Sequence, residues 1–230
     1  MSNRMKYVKA VLQNPKIIFD FILRKNYKWS EDTATKFKKK EYKSYDEYLS
    51  HQKSKLDIVK YAWLPDYDVK YHSVLRERLK ENGIVKKGMN VLCLAARMGT
   101  EVKSFLDLGC FAIGLDLNPG QNNKYVVCGD FHNIQFPDKS VDVIFSNSLD
   151  HAFNFDKLIN EMKRVLKENG HLILEISKGL KEGYKPGYYE AVSWEKVDDL
   201  LKIFGKYGFK VIKRSDFEYP DPGQHVILAY

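Results

Sequence analysis

The sequence predicts an α/β fold built on a mostly parallel, Rossmann-like sheet, and three observations carry that expectation. A short apolar run, Val91 to Leu94, turns through small residues to Gly99 and continues in helical spacing through Val102, Phe105, Leu106 and Leu108. A second apolar run ends on an acid, Asp116. Further runs of strand length follow at Tyr125 to Cys128, Val141 to Asn147 and Leu172 to Ile176. Strand, tight turn, helix, strand, acid is the order of a nucleotide-binding βαβ unit. The turn sets backbone N–H groups and a helix N-terminus beside a ligand. The acid, about twenty residues beyond the first strand, is placed to accept hydrogen bonds from two ribose hydroxyls.

Taken in order, residues 1–64 read as a basic helical extension and residues 65–230 as the core domain. Lys6 to Asn26 repeats Val8, Val11, Leu12, Ile17, Ile18, Phe21 and Ile22 on successive turns, interrupted near Pro15, with cations flanking the stripe. That composition suits a helix packed on its own domain or on a twin subunit in a homodimer, an interfacial membrane helix, or a helix docking on a partner protein. The run Lys36 to Lys43 reads as a solvated face. Ser44 to Leu64 reads as a helix entered from Ser44, with Asp46 and Glu47 in its first turn. Tyr45, Tyr48, His51 and Lys55 recur three or four residues apart, so they share one face of it.

Pro65 and Asp66 mark a break, and Tyr71 to Asn82 is a helix ended by Gly83. Val141 to Asn147 is the near-continuous apolar run of a buried parallel strand. Phe155 to Lys167 carries Leu158, Ile159, Met162, Val165 and Leu166 on one helical face, with Gly170 as its stop. Gly179 to Tyr189 is irregular. Ser193 is expected to cap a helix running through Trp194, Val197, Leu200, Leu201 and Phe204 to near Gly208. Phe209 to Arg214 and Val226 to Tyr230 close the chain as two strands joined by Pro220-Asp221-Pro222-Gly223.

Composition narrows the function classes. At 230 residues the chain is one ordinary domain with some excess. Cys93, Cys110 and Cys128 lack the spacing of a zinc site or disulfide framework, and read as small core residues of a protein in a reducing compartment. The first residues are polar and no apolar run reaches the length of a membrane span, so a cytoplasmic protein is expected, peripheral to a membrane if the first helix contacts one. The net charge of +8 is unevenly placed. Residues 1–60 carry 15 Lys and Arg against 7 Asp and Glu, and residues 61–230 carry 23 of each. The core is neutral, which argues against a nucleic-acid partner.

Beyond the first βαβ unit, Gly129-Asp130-Phe131 ends the third run, Ser146-Asn147-Ser148-Leu149-Asp150-His151 ends the fourth, and Glu161 to Leu174 supplies a helix and a fifth strand. This ordered series resembles the class I S-adenosylmethionine-dependent methyltransferases from about Tyr71 to Tyr230. The resemblance implies a seven-stranded sheet with an antiparallel last strand inserted beside the fifth, and S-adenosylmethionine as cofactor. It implies that Asp116, with Leu117, holds the ribose, that Asp130 and the Phe131 amide meet the adenine, and that Asn147 lines the site. It also implies a segment ahead of the sheet that forms a lid. The turn departs from the family's acid-x-Gly-x-Gly-x-Gly: Cys93, Ala95 and Arg97 stand in three of the four places and Gly99 in the last. Arg97 for the methionine carboxylate and Glu101 for the ammonium would compensate.

Leu149-Asp150-His151 follows the fourth strand, at the carboxyl edge where ligands bind in open α/β sheets. A hydroxyl nucleophile must lose its proton as it attacks, and an imidazole suits that near neutral pH. His151 is therefore the candidate general base, with Asp150 orienting it or holding a cation, and His51 is a weaker second candidate. No resident metal set is assigned. Tyr184, Tyr188, Tyr189 and Trp194, with Tyr45 and Tyr48, offer stacking surfaces for an acceptor. The family impression favours methylation of a hydroxyl on a sugar or glycan. The rival readings are a small-molecule O- or N-methyltransferase and an inactive cofactor-binding subunit that docks on a membrane or a glycosyltransferase.

Overall fold

The computed structural model describes residues 26–59 and 64–230. The basic helix expected at Lys6 to Asn26 lies, but for its last residue, outside them. The central sheet contains seven strands in the order β5-β4-β3-β6-β7-β10-β9. They are β3 (Asn90–Leu94), β4 (Phe111–Asp116), β5 (Val126–Cys128), β6 (Val141–Ser146), β7 (Leu166–Ser177), β9 (Lys210–Phe217) and β10 (Gly223–Ala229). Strands β5, β4, β3, β6 and β7 pair in parallel, and β10 enters antiparallel between β7 and β9. The order reverses beside β3, so the carboxyl ends of β3, β4 and β6 open the crevice in which such sheets bind ligands.

The period-two alternation of buried strands divides their side chains between two helical layers. From β3, Leu92 and Leu94 face α4 (Phe155–Val165) and α5 (Val197–Lys206) through Leu158, Met162, Leu200 and Phe204. Val91 and Cys93 face the opposite way, toward Tyr71, Leu75 and Leu79 of α2 (Leu64–Glu81) and Val102 and Phe105 of α3 (Thr100–Asp107). The Phe105 and Phe145 rings meet edge to face at 5.7 Å across that second layer. No described helix is long and apolar enough to cross a membrane.

Four local expectations are corrected. The lysine-rich run is a β-hairpin, β1 (Trp29–Asp32) and β2 (Phe37–Lys40), and β2 pairs with β8 (Val192–Trp194) in a second small sheet. Its turn is nucleated by Asp32, whose Oδ1 accepts from the amides of Ala34 at 3.0 Å and Thr35 at 3.3 Å. Phe37 and Lys40 point inward. The Lys40 ammonium donates to the Tyr188 carbonyl and lies 5.1 Å from the Trp29 ring. Burial pulls its pKa down to about 8. Charge alone gave no sign of this, because an aliphatic stem packs wherever its head finds an acceptor.

The second correction concerns Gly170, which does not stop a helix. α4 ends at Val165 and the chain passes directly into the long strand β7, with a bulge between the pairs Val141–Leu166 and Val143–His171. Third, Ser193 and Trp194 form β8, where Trp194 packs on Phe37 and its indole N–H donates to the Ser177 carbonyl at 3.1 Å. Helix α5 begins only at Val197. Fourth, Cys93 and Cys110 are buried, but Cys128 is exposed at the end of the edge strand β5.

Candidate active site

The site begins with the turn between β3 and α3. Ala95 (φ 55°) and Arg97 (φ 43°) both sit in the left-handed region where the family pattern has glycine. The backbone path is therefore kept without the residues that make it easy, at a cost of about 1–2 kcal/mol for each. Gly99 is different: with φ 83°, an added Cβ would also lie 2.7 Å from the Tyr125 Cβ. Only glycine lets the turn lie against the β4–β5 connection.

Asp116 ends β4 beside this turn. Its Oδ2 accepts from the Arg97 amide at 2.9 Å and its Oδ1 from the Asn118 amide at 2.8 Å. Each oxygen keeps lone-pair capacity for a ligand hydroxyl. A narrow cavity here is lined by Ala95, Asp116, Leu117, Gly129 and Phe131 from the sheet edge. Tyr48, Gln52 and Lys55 close it from α1 (Tyr45–Val59), the helix ahead of the sheet.

Asp130 does not line that cavity. Its Oδ1 accepts from the His132 amide at 2.8 Å and from His132 Nδ1 at 2.9 Å, and its Oδ2 accepts from the Tyr45 hydroxyl. Burial opposes its charge, but these donors outweigh it and hold the carboxyl below the ordinary range. His132 in turn accepts from the amides of Phe153 and Asn154 through Nε2, at 3.1 and 3.2 Å. Asp130 thus ties α1 to the loops after β5 and β6.

On the other side of the turn, Glu101 occupies the first turn of α3 and is 3% exposed. Its Oε1 accepts from Asn147 Nδ2 at 3.0 Å, while its Oε2 is buried without a hydrogen-bond partner among the described residues. Burial pushes its pKa up to about 7 against the pull of Arg97. Asn147 also donates to the Tyr71 hydroxyl at 3.0 Å, and Tyr71 donates to Glu175 Oε2 at 2.6 Å. Glu175 then pairs with Arg78. The Arg97 guanidinium lies 5.5 Å from the Tyr67 ring. A buried acid with an open oxygen next to a fixed cation fits the two charges of an amino-acid zwitterion.

A wider cavity of about 370 Å³ adjoins the first, and the two share Lys55, Arg97, Ser148 and His151. Its outer wall includes Tyr184, Tyr188, Tyr189, Glu190 and Asp221. His151 ends a short 3₁₀ turn after β6. Its carbonyl accepts from the Tyr48 hydroxyl at 2.9 Å and its Nδ1 faces the Tyr189 carbonyl at 3.0 Å. Burial, then the nearby Lys55 charge, hold the imidazole well below its ordinary pKa. Asp150 is pushed up to about 7 by burial and by Glu190. Donor atoms of Asp150, His151 and Glu190 lie within 4.8 Å of one another. The cation beside them is Lys55, whose Nζ is 2.8 Å from His151 Nε2.

Several residues of this site escaped the sequence reading. Glu190 and Asp221 sit in the irregular segments around β8 and before β10, which give no periodic signal. Lys55 was legible only as a helix-face neighbour of Tyr48 and His51, and Gln52 carried no signal of its own. Trp194 and Tyr45, offered as stacking surfaces, serve packing instead: Trp194 against Phe37, Tyr45 against Tyr48 and His132. His51 is buried against Tyr189, with ring centroids 5.1 Å apart, and its Nδ1 meets the Tyr42 hydroxyl at 3.0 Å.

Comparison with known proteins bears on the fold that carries this site. Residues 92–174 match the sequence family described as a methyltransferase domain. Among solved structures, a SAM-dependent methyltransferase from Aquifex aeolicus is 19% identical, with a TM-score of 0.54 over 66% of this chain and 88% of its own. An S-adenosylmethionine-dependent methyltransferase from Mesorhizobium loti is 13% identical, with a TM-score of 0.54 over 67% of this chain and 96% of its own. The [4+2]-cyclase SpnF is 14% identical, also with a TM-score of 0.54, over 67% of this chain and 80% of its own. At these identities the likeness shows the fold, and the cyclase shows that the fold alone does not fix the chemistry. No curated protein matches the sequence. Residues 92–174 are therefore similar to a methyltransferase domain, on a fold shared with S-adenosylmethionine-dependent methyltransferases, and the cofactor these matches indicate is S-adenosylmethionine.

Proposed function

We propose that this chain transfers the methyl group of S-adenosylmethionine to a hydroxyl oxygen, with a sugar or glycan as acceptor. The observation that carries the reading is the second cavity, which meets the first at His151 and is walled by tyrosines and carboxylates. Tyrosine faces stack on sugar rings and carboxylates accept from sugar hydroxyls. When bound, the cofactor supplies a sulfonium with an already activated methyl. The protein's tasks are then to bind it, align a nucleophile and exclude water.

In this reading Asp116 and Leu117 hold the ribose, and Gly129 and Phe131 flank the adenine, with Asp130 bracing that loop. Ala95 and Gly99 shape the turn. Arg97 takes the methionine carboxylate, and Glu101, positioned by Asn147, takes the ammonium. His151 and Asp150 face the acceptor. Within the expected lid segment, α1 closes the first cavity through Tyr48, Gln52 and Lys55 and reaches the second through Lys55. The strained turn at Ala95 and Arg97 favours one rival, a subunit that binds the cofactor without turnover.

Calorimetric titration with S-adenosylmethionine and S-adenosylhomocysteine, beside Asp116→Ala, tests the cofactor site. Micromolar binding by the wild type, abolished in the variant, is expected. An acceptor screen starting with deoxysugars and sugar nucleotides then separates the readings. Binding without turnover on any hydroxyl acceptor would leave the inactive subunit in place of the transferase.

A further inference from the structure

His151 is poorly placed to keep a proton. Its Nδ1 faces a carbonyl, which can only accept, so Nδ1 carries the hydrogen and Nε2 carries the lone pair. That lone pair is already engaged by Lys55 Nζ at 2.8 Å. An imidazolium formed there would stand against both Lys55 and Arg97. Lys55 stands in the opposite situation. It lies in the wall common to both cavities, contacts the His151 lone pair, and sits in the field of the Glu190 and Asp150 carboxylates, with Arg97 the opposing cation and Asp116 a further acid. Its protonated form therefore has acceptors, and its neutral form faces the space where an acceptor hydroxyl must enter.

We propose that Lys55, delivered by the helix ahead of the sheet, is the catalytic base of this site, and that His151 is the positioning residue that holds it. The proposal rests on the methyl-transfer reading above and deepens it. In the step it describes, the acceptor oxygen forms its bond to the methyl carbon while the carbon–sulfur bond breaks and leaves its electron pair on sulfur. The hydroxyl proton passes to the neutral Lys55 amine, giving an ammonium that donates to His151 Nε2 in the field of the Glu190 and Asp150 carboxylates. The ammonium returns its proton to water after the products leave. Burial and the Arg97 charge lower the Lys55 pKa to about 8, which keeps part of it neutral near physiological pH.

The test has one arm that needs no acceptor. The full chain, with S-adenosylhomocysteine present, is labelled with trace acetic anhydride from about pH 6 to 11, and the Lys55 peptide is quantified by mass spectrometry against the other lysines. A Lys55 midpoint near 8 is expected, and a midpoint in the ordinary range of about 10.4 overturns the proposal. The second arm compares Lys55→Met and Lys55→Arg on deoxysugar and sugar-nucleotide acceptors. Both variants are expected to lose about 10²–10⁴-fold in kcat, more than any loss in S-adenosylhomocysteine affinity from the changed cavity wall, because arginine keeps the charge but has no accessible neutral form. Recovery of activity in Lys55→Arg, or turnover that depends on an added divalent ion, overturns it. Failure of the wild type to bind S-adenosylhomocysteine would sink the underlying methyl-transfer reading instead, a result distinct from either arm.

Discussion

Replacing Glu101 by glutamine should weaken cofactor binding and strengthen the empty fold at the same time. The carboxyl is 3% exposed with one oxygen unpartnered, and burial raises its pKa to about 7, against about 4.3 in an unfolded chain. An acid whose folded pKa is raised binds more protons folded than unfolded between those two values. Its contribution to stability therefore falls as pH rises from about 4.3 to 7, and the penalty is complete above that, on the order of 3 kcal/mol. Glutamine retains the shape and removes the penalty. The thermal midpoint of the unliganded variant should exceed that of the wild type at pH 8 and match it near pH 4. The ligand side has the opposite sign. Pairing an ammonium with Glu101 requires the ionised form, so binding should release about 0.5 proton at pH 7 and about 0.9 at pH 6, and affinity should rise with pH until about pH 8. Losing one partner of a desolvated pair costs about 2–5 kcal/mol, which is roughly 30- to several-thousand-fold in Kd. Calorimetry in buffers of different ionisation enthalpy reads both quantities. A pH-independent Kd with no proton release, or a Glu101→Gln variant that binds within a few-fold of wild type, would refute the assignment of Glu101 to the ammonium.

Ala95→Gly should relieve the left-handed strain at φ 55°, offset in part by the greater freedom of glycine in the unfolded chain. A net gain of up to about 1 kcal/mol in denaturant unfolding is expected, and a loss would mean that the Ala95 methyl packs more than it strains. Phe37→Ala removes a ring that is 1% exposed and stacked edge-on to Phe155 at 5.3 Å. A cost of about 3–5 kcal/mol in urea unfolding is expected, whereas a cost under about 1 kcal/mol would show that the hairpin does not share the core's cooperative unfolding.

The core domain was legible because its signals are local and repeat. Val91 to Asp116 announces strand, turn, helix and strand through apolar spacing, and the short β6 run reads as buried because both its faces are covered. The hairpin at Trp29 to Lys40 was not legible. Its inward residues are one phenylalanine and a lysine, and its partner strand lies far along the chain at Val192 to Trp194. Local propensity cannot report a pairing at that separation. Gly170 misled for a related reason: glycine ends helices and also fills bulges, and the choice is made by β6, which draws Leu166 onward into the sheet.

The two halves of the site differ in the same way. The cofactor side grows from one βαβ unit, so Ala95, Arg97, Gly99, Glu101 and Asp116 are close in sequence and are brought together by a single supersecondary motif. The wider cavity draws Lys55 from α1, Asn147, Ser148, Asp150 and His151 from the loop after β6, and Tyr184, Tyr188, Tyr189, Glu190 and Asp221 from the segments before β8 and β10. No one of those segments carries a motif. What joins them is long-range hydrogen bonding: Gln52 to the Tyr189 carbonyl at 2.8 Å, Lys40 to the Tyr188 carbonyl, the Ala191 amide to the Asp150 carbonyl at 2.7 Å. The described N-terminal residues thus hold the loop that lines the wider cavity, and changes there can reshape that cavity while leaving the turn between β3 and α3 untouched.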